Sequence, residues 1–111
     1  MDEADFDQVV EDALDELPEW AADALDNVVV LVEEQDADDP DLLGLYVGVP
    51  LTERGHEPPI GPARILIYRR PLTEMCDSVE ELREEIRITV LHEIGHHFGI
   101  DEDRLDELGY A

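Results

Sequence analysis

Leu91-His92-Glu93-Ile94-Gly95-His96-His97-Phe98-Gly99 closes the longest helical pattern in the chain, and the fold turns on how that helix is packed. Two histidines stand four residues apart, with a glutamate directly after the first. On a helix, residues i and i+4 lie one above the other on the same face. His92 and His96 can therefore aim two imidazoles at one point, as a tetrahedral metal ion requires. Glu93 lies about 100° further round the helix. Its carboxylate can reach a water held at that point without itself being a ligand. Three fixed residues alone are a modest signal. Here they end a long apolar pattern and are followed at once by Gly99 and a cluster of acids, which makes the signal strong.

The helix itself is well marked. Ser78 and Glu81 form a capping-box start. Leu82, Ile86, Val90, Ile94 and Phe98 keep a spacing of four, and Ile88 and Leu91 widen the apolar face late on. The first half is amphipathic and the second nearly all apolar, so the histidine end is expected to be the buried end. The pattern runs to about Phe98. Gly99 is placed to be the left-handed residue that stops it. Asp101 to Gly109 reads as a short last helix, with Asp101 as N-cap and Leu105 and Leu108 on its apolar side.

Upstream, Phe6 to Leu14 reads as a first helix and Pro18-Glu19-Trp20 as the start of a second. Trp20, Ala21, Ala24 and Leu25 are expected to face inward. Val28 to Val32 is a β-branched run too short for a helix of its own. Glu33 to Asp41 is a solvated acidic loop; it lacks the glycine and distal glutamate of a calcium loop. Leu42 to Val49 reads as a second strand, in which Gly44 and Gly48 mark bulges or close backbone approaches. Pro50 to Pro62 carries four prolines, two glycines and His56. Arg64 to Tyr68 is a third strand. Arg69 and Arg70 are expected to pair with neighbouring acids. Pro71 to Asp77 is a connector, and Cys76 a small buried hydrophobe.

Composition bounds the rest. The 111 residues suffice for one domain with a modest core. The net charge is −24, with 31 acids against seven basic residues, all arginine. Such a charge self-repels at low salt. Molar salt shortens the Debye length to ~3 Å and screens it. The acids are spread over the whole chain, which favours salt adaptation over an acidic mimic that binds a basic partner. Nucleic acid is excluded as a natural partner, because phosphate repels this surface. Cys76 has no intrachain partner for a disulfide. The start Met1-Asp2-Glu3-Ala4-Asp5 is not that of a signal peptide, and no apolar run is long enough for a membrane. A soluble cytoplasmic protein is expected.

H-E-x-x-H on a helix is a zinc-protease signature. A catalytic zinc takes three protein ligands plus water, so the third must come from between Gly99 and Glu107 or from upstream. In the pattern H-E-x-x-H-x-x-G-x-x-H the third ligand follows a glycine turn. That register gives His92, Glu93, His96, Gly99 and then Glu102, with Asp101 and Asp103 one step to either side.

On these residues the chain resembles the small zincin-like metallopeptidases of bacteria and archaea, a minimal protease fold. The likeness is strongest in Gly44-Leu45-Tyr46, Val49-Pro50-Leu51-Thr52-Glu53-Arg54, Ile67-Tyr68-Arg69-Arg70-Pro71, and from Arg87 through the signature to Arg104-Leu105-Asp106-Glu107-Leu108-Gly109. Glu102 stands where that family usually has aspartate, and Asp101 where it tends to have serine. The resemblance implies an α+β fold: a three-stranded sheet backed by the motif helix, with two N-terminal helices and a short C-terminal one. With the acidity, it implies a haloarchaeal member.

The expected chemistry is peptide hydrolysis at Zn2+ held by His92, His96 and Glu102, with Glu93 as general base. The edge strand Leu42 to Val49 would hold an extended peptide or protein substrate. Tyr46, His56 and Tyr110 are candidates to stabilise the oxyanion, and His97 reads as a supporting or core group. Two alternatives stand beside this: a non-catalytic zinc-stabilised module closed by a fourth ligand such as His56 or Cys76, and the acidic mimic.

Overall fold

A computed structural model describes residues 3–48, 63–100 and 102–107. In chain order it contains helix α1 (Glu3–Asp15), helix α2 (Glu19–Ala24) and a 3-10 turn (Leu25–Asn27). Strands β1 (Val28–Glu33), β2 (Gly44–Val47) and β3 (Ala63–Tyr68) follow, then helices α3 (Arg69–Met75), α4 (Val79–His97) and α5 (Glu102–Glu107). The expected α+β architecture is present. The expected loop Pro50 to Pro62, with His56, lies outside the described residues, as do Asp101 and Tyr110.

The sheet has the order β1-β3-β2. β1 runs parallel to β3, pairing Val28 with Ala63 through to Glu33 with Tyr68. β2 runs antiparallel on the other side, pairing Gly44 with Ile67 and Val47 with Arg64. β3 is therefore central and β2 is an edge. Side chains alternate between faces, so Val28, Ala63, Ile65 and Ile67 share one face. All four are buried, in one core with Phe6, Val9, Val10 and Ala13 of α1 and Leu82, Ile86, Val90 and Ile94 of α4. Burying each large aliphatic side chain contributes roughly 1.5–3 kcal/mol.

Gly44 sets how closely α4 can approach the sheet. A Cβ added there would stand 2.6 Å from the Thr89 Cγ2, 3.1 Å from the Leu66 carbonyl oxygen and 3.7 Å from the Glu93 Cγ. The missing side chain thus brings the histidine half of α4 against edge strand β2.

The ends of α4 follow from local chemistry. Ser78 Oγ accepts the Glu81 backbone N–H at 3.1 Å. In return, the Glu81 carboxylate receives the N–H of Asp77 at 3.4 Å, one residue before the cap. At the far end Gly99 has φ 80°. Gly99 N–H donates to the His96 carbonyl and Ile100 N–H to the Gly95 carbonyl, each at 2.9 Å. This pair of bonds is a Schellman turn, and α5 begins just after it.

Four expectations need correction, the first being Cys76, which is half-buried against the core and not buried. Residues 69–75 form helix α3, not a connector. Pro71 sits in its first turn, where a missing N–H costs nothing. Strand β2 begins at Gly44, not Leu42, although the Leu43 carbonyl still accepts the Tyr68 N–H at 3.0 Å; Val49 lies outside the described residues. Trp20 is not inward: it is 46% exposed, while Ala21 is fully buried and Ala24 nearly so. Its ring leans on Phe98 instead, with centroids 6.4 Å apart. Arg69 and Arg70 pair with Glu34 as expected. Among the described residues, no helix is long and apolar enough to cross a membrane.

Candidate metal centre

His92 and His96 present their rings edge to face, with centroids 4.9 Å apart. Their Nε2 atoms stand 3.2 Å from each other. Two nitrogens bound at ~2.0–2.1 Å to one tetrahedral ion stand about 3.3 Å apart. The pair is thus spaced as one edge of a coordination tetrahedron, and imidazole nitrogen suits zinc. The donor set fits the ion.

Glu93 completes the cluster: ligand atoms of His92, Glu93 and His96 all lie within 4.8 Å of one another. The Glu93 Oε2 is 3.9 Å from His92 Nε2. That is longer than a coordination edge, so the carboxylate borders the metal position without being fixed to it. Glu93 is only 7% exposed. A cation held between the two imidazoles would lie beside this buried carboxylate and stabilise its charge.

The cluster opens onto a groove along β2. One part, of about 370 Å³, is lined by Leu42, Gly44, Tyr46, Gly48, His92, Glu93 and His96 among others. A second part, of about 320 Å³, shares Leu42, Gly44, His92 and Glu93 and continues past Asp39, Glu85 and Ile88. A larger hollow of about 520 Å³ lies between α1 and β1 and touches none of the cluster. Size alone would point to the wrong place; the convergent donors mark the right one.

Of the expected helpers, Tyr46 is at the groove. It lies on the same strand face as Gly44, and its hydroxyl oxygen is 2.9 Å from Nδ1 of His97. His97 is 2% exposed and is not part of the His92–Glu93–His96 cluster. A Cβ on Gly48 would stand 3.0 Å from the Tyr46 hydroxyl, so a bare glycine makes room for it. The Tyr46–His97 link was not anticipated. Period-two alternation from Gly44 carries the signal, since it puts Tyr46 on the helix side.

Glu102 is the first residue of α5, and its side chain is outside the described set. Asp103 is exposed. Cys76 is no fourth ligand: it precedes the opposite end of α4, whose 19 residues span about 28 Å. Burial, then nearby acids, pushes its thiol pKa up, so it is also no ready thiolate.

Residues 25–110 match the family model described as zincin-like metallopeptidase. Helices α1 and α2 precede that stretch. No curated protein sequence matches the chain.

Proposed function

This chain belongs to the zincin-like metallopeptidase family, and on that footing we propose that it is a zinc-dependent peptidase with one site. The carrying observation is the 3.2 Å spacing of the His92 and His96 nitrogens beside a buried Glu93. His92, His96 and Glu102 would hold the ion. When bound, the ion supplies Lewis-acid activation of a water and polarisation of the scissile carbonyl.

The chain's own residues do the rest. Glu93 takes the proton of the attacking water and returns it to the leaving amine. The apolar lining beside it, Leu42, Gly44 and Ile88, strengthens its electrostatic action. Tyr46, steadied by His97, donates a hydrogen bond to the carbonyl oxygen as charge develops there. The outer edge of β2 pairs with an extended peptide or protein substrate and lays it along the groove. The net charge of −24 supports a salt-rich cytoplasm as the working medium. It also disfavours nucleic acid as a partner.

The test is metal content and peptide hydrolysis in molar salt for wild type, His96→Ala, Glu102→Gln and Glu93→Gln. About one zinc per chain is expected in wild type and in Glu93→Gln, with loss in His96→Ala and weakening in Glu102→Gln. Trp20 fluorescence provides a second reading, since its ring contacts Phe98 next to the site. A folded wild type that takes up no metal would sink the proposal. Full retention by Glu102→Gln would move the third ligand elsewhere.

A further inference from the structure

β1 and β3 read as continuous apolar runs, Val28-Val29-Val30-Leu31-Val32 and Ile65-Leu66-Ile67. Strands of that kind are usually buried on both faces. Here the core covers one face. The strand register puts Val29, Arg64 and Val47 in one row of the other face and Leu31, Leu66 and Leu45 in the next. Val29 is 40% exposed, Leu31 39% and Leu45 37%. A chain with 31 acids places none among these six positions; the nearest on this face is Glu33, one row further on.

Arg64 is the second observation. Among the described arginines, Arg69, Arg70, Arg83, Arg87 and Arg104 each pair with a glutamate. Arg64 is exposed on the central strand, in the first row of the apolar face, and has no glutamate or aspartate partner among the described residues. In so acidic a protein, an arginine left without a carboxylate points to one supplied from outside.

We propose that this sheet face is where two copies of the chain pair, with Arg64 of each reaching Glu33 of the other. The face is self-complementary. A two-fold axis along the Leu31–Leu66–Leu45 row lays that row on itself. It also brings Arg64 of each copy toward exposed Glu33 of the other, beside Tyr68, which its own chain already covers to 3% exposure, so each interface gains two opposite-charge pairs. A basic partner is poorly matched here, since the face carries a cation and a single acid, Glu33, at its edge. Three strands of up to six residues measure roughly 14 Å by 20 Å. That is small for a stable interface, so the dimer is weak and concentration-dependent. Two copies at −24 each repel at low salt, and screening removes that repulsion. This dimer therefore tightens as salt rises, whereas a charge-driven complex with a basic partner loosens.

The experiment is sedimentation equilibrium of the full chain across concentration and salt. The expected result is a monomer–dimer equilibrium that tightens about tenfold or more between ~0.1 M and ~1 M salt. Leu31→Asp abolishes the dimer. Arg64→Glu and Glu33→Arg each weaken it about tenfold, and the two together restore it. Helical circular dichroism and Trp20 emission check that each variant is folded; Arg64→Glu, at an exposed position, keeps the test open if Leu31→Asp does not fold. A single mass at every concentration and salt overturns the proposal. So does a dimer that survives Leu31→Asp, a double charge swap that fails to restore association, or a dimer that weakens with salt. A monomeric wild type whose Leu31→Asp form unfolds would mean that the face is covered within its own chain.

Discussion

Glu84 and Glu93 occupy one helix, two and a half turns apart, in opposite surroundings. Glu84 is about half exposed and pairs with Arg87 one turn on. Its hydrogen bond from Arg87 holds its carboxyl below the usual range. Glu93 is buried between the sheet and two imidazoles. From Val79 to Ile88 only Leu82 and Ile86 are buried; from Thr89 to His97 most residues are. The same residue type is a surface ion-pair partner in the first half and a chemical group in the second. Propensity does not separate them. What does is the close approach of β2 at Gly44.

The largest effect expected from that contrast is on rate. Glu93→Gln should cut peptide hydrolysis by about 10²–10⁴-fold while metal stays bound. Glu84→Gln should leave the rate unchanged. Steady-state assays on the two variants decide it, and equal losses would dissolve the contrast.

Next comes the close approach itself. Gly44→Ala forces a Cβ to 2.6 Å from the Thr89 Cγ2. An overpacked contact of this kind costs ~1–3 kcal/mol. Thermal unfolding should show the loss, and adding Thr89→Ser, which deletes that methyl, should recover much of it. No recovery would mean that the Leu66 carbonyl, at 3.1 Å, is the obstacle.

At the solvated end, Ser78→Ala removes the cap on Glu81 N–H and should cost ~1 kcal/mol. Zinc affinity should not move, because the site lies at the opposite end of α4. A parallel fall in affinity would show that the two halves are coupled. The smallest effect is Glu84→Gln, within about 0.5 kcal/mol at neutral pH. A carboxyl whose folded pKa is depressed stabilises above its unfolded pKa and loses that contribution as pH falls through the folded one. The difference between wild type and Glu84→Gln should therefore vanish in acid, which unfolding curves at several pH values would show.

Local rules made much of this legible in the sequence. Ser78, the four-residue apolar spacing and Gly99 fixed the extent of α4, because caps and left-handed turns depend on adjacent backbone. Pro71 misled, since a proline that breaks a helix interior is harmless in a first turn. Trp20 misled as well: size and hydrophobicity suggested burial, yet alanines fill the tight space beneath α2. The Tyr46–His97 contact joins residues 51 positions apart, and no local pattern contains it.

The sequence by itself determined the chemistry available: two imidazoles on one helical face, a carboxylate beside them, and a glycine turn after them. It did so because helix geometry relates neighbouring residues rigidly. The tertiary structure alone decided that Glu93 is buried, that Tyr46 stands at the groove on His97, and that Val29, Leu31 and Leu45 of one sheet face are exposed. Those outcomes depend on how closely α4 and β2 approach and on which face the helices occupy, and both are set by packing between segments far apart in the chain.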